Sequence, residues 1–273
     1  MIDCAGHYGH IKLELPVFHI GYFKHVLTIL QCICKTCSAL MLKGPDKEAF
    51  ARRVRHPRAD ALAKTALHKR IVERCKKVSL CPWCGAYNGA VKKVAGAHTL
   101  KLVHERYKGK GGAENFEEFS SSLERAVEFN KDLAQHVARA QEDLSPLRVQ
   151  ELFERVSDAD CELLWLDPAS GRPEHLLLST LLVPPVAIRP SVAMDVGAGS
   201  NEDDLTCKLV EIIDVNSALR VALQKGASMK TIMEDWNFLQ ARARLARGSR
   251  AARARQVHAR AAQQIRTRAW AHL

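Results

Sequence analysis

The sequence predicts an α+β chain, mainly helical, in which a zinc-bound module with short strands is joined to an antiparallel helical hairpin of coiled-coil type. Three observations predict it. Two Cys-x-x-Cys steps, Cys34 to Cys37 and Cys81 to Cys84, lie 43 residues apart. Between about residues 114 and 240, apolar side chains recur mostly at helical spacing. Short alternating runs at residues 11–15 and 98–104 have the period of strands.

Composition bounds the reading. A length of 273 residues suits one large domain or two small ones, and 47% hydrophobic residues suffice for a core. No stretch approaches the roughly 20 apolar residues that span a bilayer, so no membrane partner is expected. The start, Met1-Ile2-Asp3-Cys4, lacks the basic and apolar regions of a secretory leader. The nine cysteines are therefore expected in a reducing compartment, where paired Cys-x-x-Cys spacings favour metal over disulfides. The net charge is +11, yet Ala241 to Leu273 holds nine Arg and no Lys, Asp or Glu. Subtracting those nine leaves +2 for residues 1–240, so the basic excess belongs to the tail and not to the body.

The elements follow in order. Ile11-Lys12-Leu13-Glu14-Leu15 alternates as a strand, with Pro16 expected to end it. Residues 48–78 are helical in pattern and basic. Residues 98–104 alternate again, and Lys108 to Gly112 reads as a flexible basic loop. A long helix is expected from about Glu114 to Glu142, carrying Phe116, Phe119, Leu123, Val127, Leu133 and Val137 on its apolar face. Ser145-Pro146 is an N-cap followed by proline at the first helical position. Ser157-Asp158 can cap a short helix reaching Leu164. Three prolines between Leu182 and Val192 keep that segment extended.

The clearest periodic segment comes last. Ser200 or Asn201 is expected to cap a helix whose first turn carries Glu202, Asp203 and Asp204, which suits the positive end of the helix dipole. Leu205, Leu209, Ile212, Asn216, Leu219 and Leu223 then step 4, 3, 4, 3, 4, a heptad seam with one polar position. Gly226 is the expected stop. A second helix starts near Met229, with Ile232, Trp236 and Leu239 on one face. The pair reads as a projecting hairpin, with ordinary two-helix packing in a core as the alternative.

Cys34, Cys37, Cys81 and Cys84 carry the chemistry. Zinc takes four tetrahedral ligands and favours thiolates, and a Cys-x-x-Cys turn presents two sulfurs to one ion. Gly85 directly after the second pair suits a tight turn. A redox dithiol would call for one such pair in a βαβ setting, and unligated buried cysteines are the other alternative. Cys32 and Cys75 lack partners on their own turns and are read as buried cysteines. At the start of the chain, Cys4 and His7 have the Cys-x-x-His step of a zinc half-site. A Gly-rich turn with a surface histidine explains that step equally well.

These residues carry a resemblance. Cys4-Ala5-Gly6-His7-Tyr8-Gly9-His10-Ile11, continuing through Pro16-Val17-Phe18-His19-Ile20-Gly21-Tyr22-Phe23, resembles a signature of the largest subunit of DNA-directed RNA polymerases. Further matches follow in the same order: the two Cys-x-x-Cys segments, Leu181 to Val192, Asn201 to Thr206, and Ile232 to Gln240. Cys81 to Gly89, Val91-Lys92-Lys93 and Met233-Glu234-Asp235-Trp236 are most similar to the RNA polymerase III form. The resemblance covers about residues 1–240.

The resemblance implies an N-terminal fragment of the clamp, which closes over template DNA and the RNA–DNA hybrid in the nucleus during synthesis of small RNAs. It implies one zinc on Cys34, Cys37, Cys81 and Cys84, and a second on Cys4 and His7 with an upstream Cys-x-x-Cys. The hairpin would be the clamp coiled coil, which meets upstream DNA and initiation factors. Other polymerase subunits would be its partners. The expected regions are a zinc-binding clamp region at 1–112, a helical clamp region at 113–240 with the hairpin at about 201–240, and an atypical Arg/Ala-rich tail at 241–273. The chain starts at Met1 without the upstream cysteines. It also lacks the family's NADFDGD motif, whose carboxylates hold catalytic Mg²⁺, so that ion would be bound elsewhere in the enzyme and no residue here reads as catalytic. The tail reads as an out-of-frame or alternatively spliced end, with a nucleic-acid arm or a helix continuing the hairpin as alternatives. The rival function is a free-standing zinc-ribbon module for nucleic-acid or protein interaction.

Overall fold

Phe23, Val26, Ile29 and Leu30 recur at helical spacing, and they form the buried face of α1 (Phe23–Cys32). The computed structural model describes residues 4, 6–56, 60–94, 100–107, 113–131, 133, 141–193 and 200–248. The chain divides into two compact units, Phe18–Leu177 and Met1–Val17 with Leu178–Leu273. Among the described residues, no helix is long and apolar enough to cross a membrane.

In the unit Phe18–Leu177, α1 packs on α3 (Ala61–Lys77), and α2 (Gly44–Val54) packs on α3 as well. The basic stretch expected at 48–78 is thus two helices. Leu67, Ile71, Val72 and Cys75 are the buried residues of α3, and its lysines and arginines lie outside. Asp60 caps α3, accepting from the Ala63 N–H at 2.7 Å. A three-stranded antiparallel sheet follows, ordered β2 (Ala90–Lys93), β3 (Leu102–Glu105), β4 (Gln141–Asp143). The expected strand at 98–104 appears as β3, while His98, Thr99 and the loop at 108–112 fall outside the described residues.

The long helix does not reach Glu142. α4 spans Ala113–Phe129, and Glu142 lies in β4 opposite His104. Leu144 explains the change. It is 2% exposed, and its N–H donates to the Leu102 carbonyl at 2.9 Å, so burying it draws residues 141–143 onto the open edge of β3. A ladder and a buried leucine outweigh local helical preference. Val137 lies outside the described residues. α5 (Pro146–Glu154) and α6 (Asp158–Leu163) begin as their caps require: Ser145 accepts from the Arg148 N–H and Ser157 from the Asp160 N–H, each at 3.2 Å. The buried Asp160 carboxylate is paired with Lys47 of α2 at 2.7 Å.

In the other unit, β1 (Gly9–Phe18) pairs with β5 (Leu177–Val183) in a two-stranded ribbon. Pro16 does not end β1. Both strands of such a ribbon are edges, where a missing N–H is tolerated. The Pro16 carbonyl is used instead, accepting from Trp236 Nε1 at 2.9 Å. After β5 the proline-rich segment makes one short 3₁₀ turn, Val186–Ile188, and then β6 (Val192–Ala193), which pairs with β7 (Ser200–Asn201). Ser200 and Asn201 are therefore strand residues. The cap of α7 (Asp204–Gln224) is Asp203, whose carboxylate accepts from the Leu205 N–H at 3.3 Å. Gly226, at φ +63°, ends the turn before α8 (Met229–Gly248) in the left-handed conformation that glycine adopts freely. α8 passes the expected limit at Gln240: Ala243 is buried and Arg242 pairs with Glu211 of α7 at 2.9 Å. Residues 249–273 of the Arg/Ala-rich tail lie outside the described residues.

The heptad seam is buried at Leu205, Leu209, Ile212, Asn216 and Leu219, whereas Leu223 is 40% exposed. The seam does not face α8 alone. Its core also takes in Leu13 and Val17 of β1, Leu181 of β5, and Trp236 and Leu239 of α8. Asn216 Oδ1 accepts from the Glu14 N–H at 2.9 Å, and Nδ2 donates to the Lys12 carbonyl at 3.0 Å. The polar heptad position thus acts as a substitute peptide, capping the free edge of β1. Arg220, one turn on, pairs with Glu14. The helix pair is tied to a ribbon along the part of the seam that a free-standing coiled coil would leave to its partner helix.

Asn216→Leu separates the two meanings of that position. A coiled-coil seam would gain stability from the leucine. Here the change orphans the Glu14 N–H and the Lys12 carbonyl, and denaturant unfolding should show a loss of about 2 kcal/mol.

Candidate metal centre

The two Cys-x-x-Cys segments fold as the same turn. The first follows α1 and the second follows α3. The Ser38 N–H donates to the Cys34 carbonyl and the Gly85 N–H to the Cys81 carbonyl, both at 3.0 Å. The Cys34 N–H reaches the Ala39 carbonyl and the Cys81 N–H the Ala86 carbonyl, both at 2.9 Å. Each turn is closed by one β-bridge, Ile33 to Leu40 and Leu80 to Tyr87. The residue after the second cysteine is left-handed in both: Ser38 at φ 61° and Gly85 at φ 70°. Glycine takes this conformation freely, whereas serine does so at a cost. Ser38 was not singled out from the sequence, although aligning the two cysteine pairs places it opposite Gly85.

These turns bring four sulfurs together. Cys34 Sγ lies 3.7 Å from Cys84 Sγ, and Cys37 Sγ lies 3.6 Å from Cys81 Sγ. All four sulfurs lie within 4.8 Å of one another. Thiolates about 2.3 Å from a tetrahedral zinc would stand about 3.8 Å apart, so the cluster has the size of a zinc tetrathiolate. The donor set fits as well, being four soft ligands with no oxygen among them. The cluster can hold a zinc ion.

Its electrostatics call for a cation. Burial pushes the Cys34 thiol up, but N–H groups of Cys37 and Thr36 and the thiols of Cys84 and Cys37 outweigh it and hold it down at about 7. Cys37 is pushed up to about 12, by burial first and then by the surrounding thiols of Cys81, Cys84 and Cys34. Burial likewise raises Cys81, against the N–H groups of Cys84 and Trp83. Once one sulfur ionises, its neighbours resist. A divalent ion removes that conflict by balancing the thiolates it binds.

Side chains outside the sulfur cluster lock the turns to each other. Trp83 Nε1 donates to the Leu40 carbonyl at 3.0 Å, so the second turn holds the end of the first. Asn88 Nδ2 donates to the Ile33 carbonyl at 3.2 Å, and Asn88 Oδ1 accepts from the Lys35 N–H at 3.4 Å. Lys47 stands over the Trp83 ring, 5.4 Å from its centroid. Gly89 then passes so close to β3 that an added Cβ would stand 1.9 Å from the Glu105 carbonyl oxygen. His104, buried on β3, is pushed down to about 4, by burial first and then by the Lys35 charge. In the sequence Trp83, Asn88 and Gly89 stand out only as part of the segment Cys81 to Gly89. Trp83 and Asn88 act across more than 40 residues of chain and Gly89 across 16, so none of them carries a local signal.

The remaining candidates fall elsewhere. Cys32 and Cys75 are buried, at 0% and 1% exposure, and stand outside the four-sulfur cluster, with their thiols hydrogen-bonded to each other. Cys4 and His7 do meet in their own unit: Cys4 Sγ and His7 Nε2 are 3.9 Å apart, and the Gly6 N–H donates to Cys4 Sγ at 3.4 Å. Both are exposed, and the pair supplies half of a tetrahedral set.

Comparison with known proteins gives the chain its relatives. A model of the family described as RNA polymerase Rpb1, domain 1, matches residues 1–268, further than the motifs at 1–240. The chain is similar to DNA-directed RNA polymerase III subunit rpc1 of Dictyostelium discoideum, 46% identical over 241 residues, which cover 88% of this chain and 16% of that protein. It is equally similar to subunit RPC1 of Homo sapiens, 46% identical over 242 residues and 17% of that protein. DNA-directed RNA polymerase subunit Rpo1N of Sulfolobus acidocaldarius is 34% identical over 249 residues, 88% of this chain and 23% of that protein. The chain spans about one sixth of the length of the two RNA polymerase III subunits.

The left-handed turn positions give a direct test. Nothing lies within 4 Å of a Cβ built on Gly85, so Gly85→Ala adds backbone strain without a clash. It should cost about 1 kcal/mol in denaturant unfolding of the zinc-loaded chain. Gly44→Ala, also in open space but without a left-handed backbone, should cost nothing comparable.

Proposed function

The chain belongs to the RNA polymerase Rpb1 domain 1 family, and on that premise we propose that it forms part of the clamp of the largest subunit of a nuclear, RNA polymerase III-type DNA-directed RNA polymerase. The observation that carries the reading is its high identity to RNA polymerase III largest subunits across nearly nine-tenths of its length. Other polymerase subunits, template DNA and the RNA–DNA hybrid are the partners this reading gives it. The helix pair of α7 and α8 would be the clamp coiled coil that meets initiation factors. Contacts with nucleic acid would come from Lys and Arg on phosphates and carry no base specificity.

In this reading the zinc is structural. Cys34, Cys37, Cys81 and Cys84 would fill all four of its positions, leaving none for water or substrate. The metal supplies a cross-link between the ends of α1 and α3. Cys4 and His7 would contribute half of a second zinc site. The Mg²⁺ that supports nucleotide addition would be held elsewhere in the enzyme, so this chain alone would add no nucleotides. Template-dependent synthesis by the purified chain would overturn that assignment.

Two measurements test the proposal. A tagged chain expressed in eukaryotic cells should sediment with a very large multisubunit assembly that contains the second-largest polymerase subunit. A small self-sufficient species would favour a free-standing zinc-ribbon module. Chain purified without chelator should contain one tightly held zinc, and Cys81→Ser should lose it and unfold residues 18–177 at a much lower midpoint. Because burial keeps Cys37 and Cys81 protonated at neutral pH, zinc must displace at least those two protons. Affinity should therefore fall at least about a hundredfold for each pH unit lowered near neutrality, read by competition with a chelator of known proton dependence.

A further inference from the structure

Lys35 is a buried cation within the first cysteine turn. It sits between the two cysteines of the first turn and is 7% exposed, the one lysine or arginine among the described residues buried to that degree. Its side chain curls back along the turn, and Nζ donates to the carbonyl of Ile33, the residue before Cys34, at 3.0 Å. Among the described residues, no carboxylate lies within ion-pair distance of it. The buried carboxylate of the same unit, Asp160, shows the contrast, since Lys47 stands 2.7 Å from it. A buried charge without a partner is costly, and one carbonyl satisfies only one of the three ammonium donors.

The negative charge that Lys35 lacks is the one the metal centre would create. Four thiolates around a divalent ion carry a net charge of −2, and in this chain Cys34 and Cys81 are almost fully buried. Backbone donors offset part of it, among them the Thr36 N–H, 3.4 Å from Cys34 Sγ. Resting on the zinc reading above, we propose that Lys35 is the built-in counter-charge of the Cys34, Cys37, Cys81 and Cys84 centre, a positioning residue whose ammonium stabilises the metal tetrathiolate and not the metal-free fold. Its burial beside Cys34 then has a reason that packing does not provide.

The test uses the full chain and three substitutions. Cobalt(II) is first bound to the unaltered chain, and its sulfur-to-cobalt absorption bands report a tetrathiolate. Their absence would sink the zinc reading itself, separately from any role of Lys35. Zinc affinity is then measured by competition with a chromophoric chelator. Lys35→Met should bind zinc at least tenfold more weakly, the range typical of lost outer-shell partners, while keeping the cobalt bands. Lys35→Gln retains a donor for the Ile33 carbonyl but no charge, and should be as weak as the methionine variant. Lys35→Arg, which keeps the charge, should stay within threefold of the unaltered chain. Stability separates this role from simple packing. Lys35→Met should lower the unfolding midpoint of the zinc-loaded chain and raise or preserve that of the metal-free chain. A glutamine variant with unaltered affinity, an arginine variant as weak as methionine, or equal destabilisation with and without metal would each overturn the proposal. If the methionine variant does not fold even in excess zinc, the comparison of glutamine with arginine decides.

Discussion

Four sulfurs within 4.8 Å of one another impose the constraint on which the unit Phe18–Leu177 depends. Thiols so crowded cannot all ionise without a cation, and thiols that stay protonated give little cohesion. A zinc ion would turn this cluster into a cross-link between the turns that follow α1 and α3, whose Cys-x-x-Cys pairs are separated by 43 residues. Much else in the unit serves the geometry of that cluster. The paired left-handed residues Ser38 and Gly85 bend the turns. Trp83 and Asn88 of the second turn hold the backbone of the first. Gly89 lets the chain leave the second turn against β3 without a side chain in the way.

The unit of β1, β5, α7 and α8 solves a similar problem with hydrogen bonds. A two-stranded ribbon leaves free edges, and water or another strand would otherwise have to satisfy them. Asn216 covers part of one edge with a side-chain amide, and Trp236 takes up the Pro16 carbonyl. Both residues come from the helix pair, so the polar heptad position and the tryptophan of the second helix are explained by the strand they hold. In each unit a few side-chain contacts to backbone, made across a large sequence separation, fix what a short β-element could not fix alone.

Charge in the body of the chain is nearly balanced. Its buried carboxylate is paired, and no cluster of catalytic carboxylates lies among the described residues. Under the proposed function, contacts with nucleic acid would be local and salt-sensitive, drawing on particular lysines and arginines and not on a broad positive field.

The sequence by itself determined whatever is local or periodic. Cysteine spacing named the four members of the cluster, serine caps placed the starts of α5 and α6, heptad spacing placed the buried face of α7, and ordered motifs identified the family. Tertiary structure decided whatever depends on residues far apart. It set Cys32 and Cys75 against each other and outside the cluster, carried β1 through Pro16, made Glu142 a strand residue, moved the α7 cap to Asp203, and gave Asn216 a strand edge to hold. The reason is the same in each case. A propensity or a spacing records what a residue prefers among its neighbours in the chain. A free strand edge, a buried leucine or an unpaired ammonium exists only after folding has brought distant segments together, and its energy then outweighs the local preference.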